Sequence, residues 1–112
     1  MAWPHTYNFN YYTGDLYQLV LYPKQDDQQF NLSGFTSLFV VATERGNINS
    51  TIFSNSPQVS ASPSRLLCTI SPQNGQLLTG ASYIYDIEIT KNNETYTLLT
   101  GSISVQNDIV KS

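Results

Sequence analysis

The stretch GASYIYDIEITKNNETYTLLTGSISV, residues 80–105, decides the reading of the whole chain. Tyr83, Tyr85, Ile87 and Ile89 alternate with Ile84, Asp86, Glu88 and Thr90. Alternation with a period of two marks a half-buried strand, because successive side chains point to opposite faces of a sheet. Lys91-Asn92-Asn93-Glu94 then supplies a turn, since asparagine tolerates the left-handed backbone of tight hairpins. In the second run, Tyr96 and Leu98 fall on one face while Leu99, Ile103 and Val105 fall on the other. This change of parity predicts a bulge or bend around Leu99-Thr100-Gly101. A long hairpin with one apolar face has to pack on something, and only the upstream chain can provide it.

Upstream, Tyr7, Phe9 and Tyr11 alternate with Asn8, Asn10 and Tyr12, which predicts an extended segment. Trp3-Pro4 excludes a helix at its start, because the residue before proline is pushed to extended conformations. Residues 1–12 therefore read as an aromatic N-terminal arm, and residues 13–112 as a single domain. Trp3, Tyr7, Phe9, Tyr11 and Tyr12 are the candidate partner-binding residues of that arm, aromatic rings being the side chains that supply most contact energy at interfaces. The same segment also fits a terminal strand completing the sheet.

Leu16-Tyr17-Gln18-Leu19-Val20-Leu21-Tyr22 is almost wholly apolar, the pattern of a strand covered on both sides or lying at an interface. Phe35 to Thr43 alternates again and predicts a second central strand. Thr51-Ile52-Phe53 gives a short strand, residues 54–64 with two prolines read as a surface loop, and residues 65–70 as a further strand. Ser71-Pro72 is a helix N-cap followed by proline at the first helical position. One or two helical turns follow, with Leu77 and Leu78 as anchors. About seven short strands with regular turn signals and one helical turn predict an all-β, antiparallel sandwich of immunoglobulin-like proportions. A small closed barrel is the alternative.

At 112 residues the chain holds one core. Charged residues make up only 12%, about half the usual share, and the formal net charge is -3. With no run of Lys or Arg, nucleic acid is not an expected partner. No apolar run reaches the roughly 20 residues of a membrane span, so no membrane is expected either. The N-terminus has neither a basic start nor an apolar core of a signal peptide, so synthesis and retention in a cytoplasm are expected. Three sequons beginning at Asn31, Asn49 and Asn93 are put down to composition. The single Cys68, inside an apolar run, reads as a small buried hydrophobe.

Chemistry is sparse. His5 has no acid or nucleophile near it in sequence, and one His and one Cys far apart make no metal spacing. Asp86 and Glu88 fall on one strand face roughly 7 Å apart, a distance a glycosidase could use, but a solvated face explains them better. Asp26 and Asp27 lack further oxygen ligands for calcium at regular spacing. The expectation is no catalytic residue, no metal, no cofactor and no enzyme activity. Eight tyrosines and a tryptophan leave one binding reading: aromatic rings lining a sugar groove in a carbohydrate-binding module, with a host glycan as partner.

Several segments also resemble a known family. Thr13-Gly14-Asp15-Leu16, then Phe30-Asn31-Leu32-Ser33-Gly34-Phe35, are similar to the layout of small bacteriophage tail and baseplate proteins. Ser71-Pro72 with Leu77-Leu78, and Gly80 with Tyr83, Tyr85-Asp86-Ile87, Ile89 and Thr90, look like the helical turn and following strand of the upper baseplate (BppU-like) N-terminal domain. Tyr96 to Val105 is similar to its closing strand pair. The resemblance covers roughly residues 13–108. It implies a non-enzymatic virion structural protein in the tail, baseplate or neck, assembled in many copies with other virion proteins. Capsid decoration or a head fibre is the variant of that role.

Overall fold

The computed structural model describes residues 3–25, 28–61 and 64–106. Its centre is the predicted hairpin. Strand β10 (Ser82–Lys91) runs into β11 (Glu94–Gln106) through Asn92 and Asn93, both with positive φ (53° and 68°), the pair of left-handed residues that a two-residue hairpin turn requires. Tyr83, Tyr85, Ile87 and Ile89 are buried and the residues between them half-buried, as the alternation predicts.

The parity change resolves as a bulge. Ile87 pairs with Leu99 but Glu88 with Thr97, so Leu98 is the extra residue. Its consequence differs from the expectation of two opposed faces. The insertion brings Tyr96 opposite Ile89, Leu99 opposite Ile87 and Ile103 opposite Tyr83, so both apolar sets reach the same inner face.

Around this hairpin the larger sheet adds β6 (Thr36–Ala42) and β7 (Thr51–Asn55) beyond β10, both antiparallel. On the other side, β1 (His5–Thr6) and β2 (Phe9–Tyr12) pair in parallel with β11. The separate arm is thereby corrected: the segment is part of the domain's own sheet. Tyr7 and Asn8 interrupt it. The Tyr7 carbonyl accepts from the Tyr85 hydroxyl, and the Asn8 side chain accepts from the Ser102 N–H at 2.9 Å. Gly101 allows this approach, since a Cβ there would lie 2.0 Å from the Tyr7 carbonyl oxygen.

The smaller sheet has the order β3 (Tyr17–Leu21), β9 (Ser64–Ile70), β8 (Gln58–Ala61). The two sheets pack as an all-β sandwich, with Leu66, Cys68 and Ile70 of β9 meeting the inner face of the larger sheet in one core. Phe9 stacks on Tyr17 at 4.4 Å across it, and Phe39 meets Tyr85 edge-on at 5.8 Å. Two segments depart from expectation. The predicted loop at 54–64 contains β8, where Val59 pairs with Leu66. Strand β3, expected to be covered on both sides or to lie at an interface, is an edge strand with Gln18 and Val20 exposed, so it is not covered on both sides. A small hairpin, β4 (Lys24–Gln25) with β5 (Gln28–Gln29), follows β3. Helix α1 (Pro72–Gly75) starts as predicted: the Ser71 hydroxyl accepts from the Asn74 N–H at 3.1 Å. Of the two expected anchors only Leu78 is buried, Leu77 being 51% exposed.

Candidate functional site

The carboxylates come first, as the groups able to do chemistry. Both oxygens of Asp86 accept from one guanidinium nitrogen of Arg45, at 2.8 and 2.9 Å. The Thr100 hydroxyl donates to Asp86 Oδ1 at 2.6 Å and accepts from Arg45 Nη2 at 2.9 Å. Asp86 is thereby tied into a closed triad with Arg45 and Thr100. Among the described residues no three His, Cys, Asp or Glu gather to hold a metal ion. Asp26 and Asp27 lie outside the described residues. Burial pushes the Cys68 thiol up to about 12, which keeps it protonated and unreactive. No buried side-chain nitrogen or oxygen among the described residues lacks a hydrogen-bond partner.

The five predicted partner-binding residues separate into three groups. Phe9 and Tyr11 are core residues, 8% and 1% exposed. The Tyr11 hydroxyl donates to the Asp15 carbonyl at 2.6 Å, and burial raises its pKa. Neither ring can dock on a neighbour without leaving the core. Tyr7 and Tyr12 face outward, 45% and 54% exposed. Trp3 is half-buried, edge-on to Phe30 at 5.1 Å and to Tyr96 at 6.3 Å. The structure does not bring the five together.

Trp3 instead forms part of a cleft of about 230 Å³ with His5, Leu21, Tyr22, Pro23, Lys24, Leu98 and Leu99. Three elements converge on it. The first is the start of the chain before and within β1. The second is the end of β3 with the turn into β4, fixed by the Phe30 N–H donating to the Pro23 carbonyl at 3.0 Å. The third is the Leu98 bulge, which sets two consecutive leucines beside the cleft. Pro23, Leu98 and Leu99 are buried and form an apolar base, while Tyr22, 59% exposed, offers its ring to solvent. Trp3 is held in place by Phe30 and Tyr96, which pack in turn on Phe35 at 5.3 and 6.3 Å. His5 and Lys24, both exposed, add polar nitrogen at the edge.

Tyr22 and Lys24 were not distinguishable in the sequence from the other tyrosines and surface lysines, because their meeting with Trp3 depends on strand pairing. Two larger hollows, about 330 and 610 Å³, flank the Arg45–Asp86 pair on the outer face of the larger sheet. Besides that pair and the Glu44 carboxylate, their walls are mostly aliphatic, hydroxyl and amide groups. Tyr85, beside the first, directs its ring into the core, so neither hollow presents an exposed aromatic face.

No protein-family model and no curated protein matches this chain. The resemblance to the baseplate family consequently rests on the quoted motifs alone. Among solved structures, the chain is similar to the pullulanase SAP of Group B Streptococcus, at 12% identity and a TM-score of 0.48 over 76% of this chain. It is also similar to the catalytic module of the multi-modular glycogen-degrading pneumococcal virulence factor SpuA, at 15% identity and a TM-score of 0.49 over 76% of this chain. The match covers 10% and 11% of those chains, so the likeness assigns no activity to this one. The expected role as a bacteriophage virion structural protein is withdrawn: no family model or curated protein supports it, and the two solved structures named above are not virion parts.

Proposed function

We propose that this chain is a carbohydrate-binding domain without catalytic groups of its own, and that its ligand seat is the cleft between Trp3 and Tyr22. The observation that carries this reading is the composition of that cleft: an exposed tyrosine ring, a braced tryptophan and an apolar base, with His5 and Lys24 at the edge. A sugar ring has apolar C–H faces and a polar circumference of hydroxyls. An aromatic face takes the first and ring or ammonium nitrogens take the second. Pockets for small ligands commonly combine an apolar lining with a few placed polar groups in this way. The volume suits one sugar unit at the end of a glycan or one unit of a chain passing across the domain. No acid–base pair is among the described residues lining the cleft, which is why binding and not hydrolysis is proposed.

The test is a glycan array followed by titration of the best ligand against wild-type protein and Tyr22→Ala. Tyr22 is mostly exposed, so its loss leaves the core untouched. The expected result is saturable binding that Tyr22→Ala weakens about 5- to 10-fold, equivalent to about 1 kcal/mol of lost stacking. An array without ligands, or binding indifferent to Tyr22→Ala, would overturn the proposal.

A further inference from the structure

We infer that this cleft prefers a sugar bearing a carboxylate, of the uronic or sialic acid kind, to a neutral one; the inference rests on the carbohydrate reading above. The chain as a whole is acidic, with eight Asp and Glu against five Lys and Arg. The cleft has the opposite character. Among the described residues, its lining carries the imidazole of His5, the ammonium of Lys24 and the phenol of Tyr22, and no carboxylate. The other cationic side chains with described partners are already engaged. Arg45 holds Asp86, and Lys91 donates to the Ser33 carbonyl at 3.0 Å and sits 5.5 Å from the centre of the Phe35 ring.

Charge placement and surroundings work together here. Leu21, Pro23, Leu98 and Leu99 give the cleft an apolar base, so a ligand seated there lies against the two nitrogens at its edge and excludes part of their water. An ammonium–carboxylate contact gains strength as water is excluded, whereas on an open surface it contributes little. Lysine is suited to this as a compact point charge with three donors on a flexible stem. The hydroxyls of the same sugar remain available to the imidazole, which can donate or accept. A neutral sugar would use the Tyr22 and Trp3 rings equally well but would leave the ammonium without an anionic partner.

The experiment titrates the full chain at low ionic strength with trigalacturonate, sialyllactose and maltotriose, following the Tyr22 and Trp3 ring resonances by NMR. At least one acidic probe is expected to bind about 5- to 10-fold more tightly than maltotriose, with the advantage shrinking as salt is added. The acidic probe that wins identifies the class of acidic sugar. Lys24→Gln should bring the acidic-to-neutral ratio close to one, and both wild type and variant should keep the same methyl spectrum of the core. Equal or weaker binding of both acidic probes overturns this inference and leaves the sugar-binding domain standing. So does a preference that survives Lys24→Gln. Failure of all three probes, together with a blank array, overturns the carbohydrate reading itself.

Discussion

Strands β10 and β3 put the same question to opposite tests. Half of β10 is polar, with Ser82, Asp86, Glu88, Thr90 and Lys91 in its ten residues, yet four of its side chains are buried and three of them are among the most deeply buried described. Four of the five residues of β3 are apolar, and none is fully buried. The cause is position. Strand β10 has hydrogen-bonded neighbours on both edges and the smaller sheet across its inner face, whereas β3 closes the smaller sheet and pairs only with β9. Burial here follows alternation and place in the sheet, and apolar content by itself is a poor guide to it.

The largest effect should come from the centre of β10. Ile87, with no exposed surface, loses most of its side chain in Ile87→Ala, and the expected cost is about 2–5 kcal/mol in urea unfolding. A cost near zero would mean that β10 is not the core strand described. An intermediate effect should appear at alkaline pH, where both strands contribute a phenol. Burial raises the pKa of Tyr85 on β10 and of Tyr17 on β3, and it lifts the Cys68 thiol to about 12. Groups whose folded pKa lies above the unfolded one stabilise fully below the unfolded value and lose that contribution as pH climbs through the folded value. Stability should therefore hold up to about pH 9 and fall steadily toward pH 12, as seen in thermal melts. Tyrosine ionisation, followed by absorbance, should in part lag until unfolding. Complete phenol titration near pH 10 in a chain that stays folded would contradict the burial of both rings. The smallest effect belongs to the exposed side of β3: Val20→Thr should change stability by no more than about 0.5 kcal/mol. A loss comparable to that of Ile87→Ala would show that β3 is covered after all.

What was legible in the sequence was local. The face of β10, the Asn92-Asn93 turn, the irregularity before Gly101 and the Ser71 cap each depend on a few neighbouring residues. The bulge was visible as a slip in parity, but its effect on facing was not, because that depends on the register against β10. The arm was legible as extended chain, yet nothing in its spacing separates Phe9 and Tyr11, which enter the core, from Tyr7 and Tyr12, which do not. The candidate site was the least legible part. Trp3, Tyr22, Lys24 and Leu98 come from segments far apart in sequence, and they meet only through the pairing of β1 with β11 together with the packing of the smaller sheet that carries β3. Asp86 illustrates the reverse case, a residue noticed for its chemistry that Arg45 and Thr100 turn into a structural tie.

The parallel seam between β2 and β11 also sets an order of events during synthesis. Asn8 and Ser102, joined across that seam, stand 94 positions apart. Within this domain β2 leaves the ribosome long before β11 and waits for it. Until β11 emerges, Phe9 and Tyr11 have no sheet to enter, and their rings stay open to water and to other chains. Closing so long a loop is also the costly kind of contact in chain entropy, so completion of the sheet is a late step of folding, after the β10–β11 hairpin has formed.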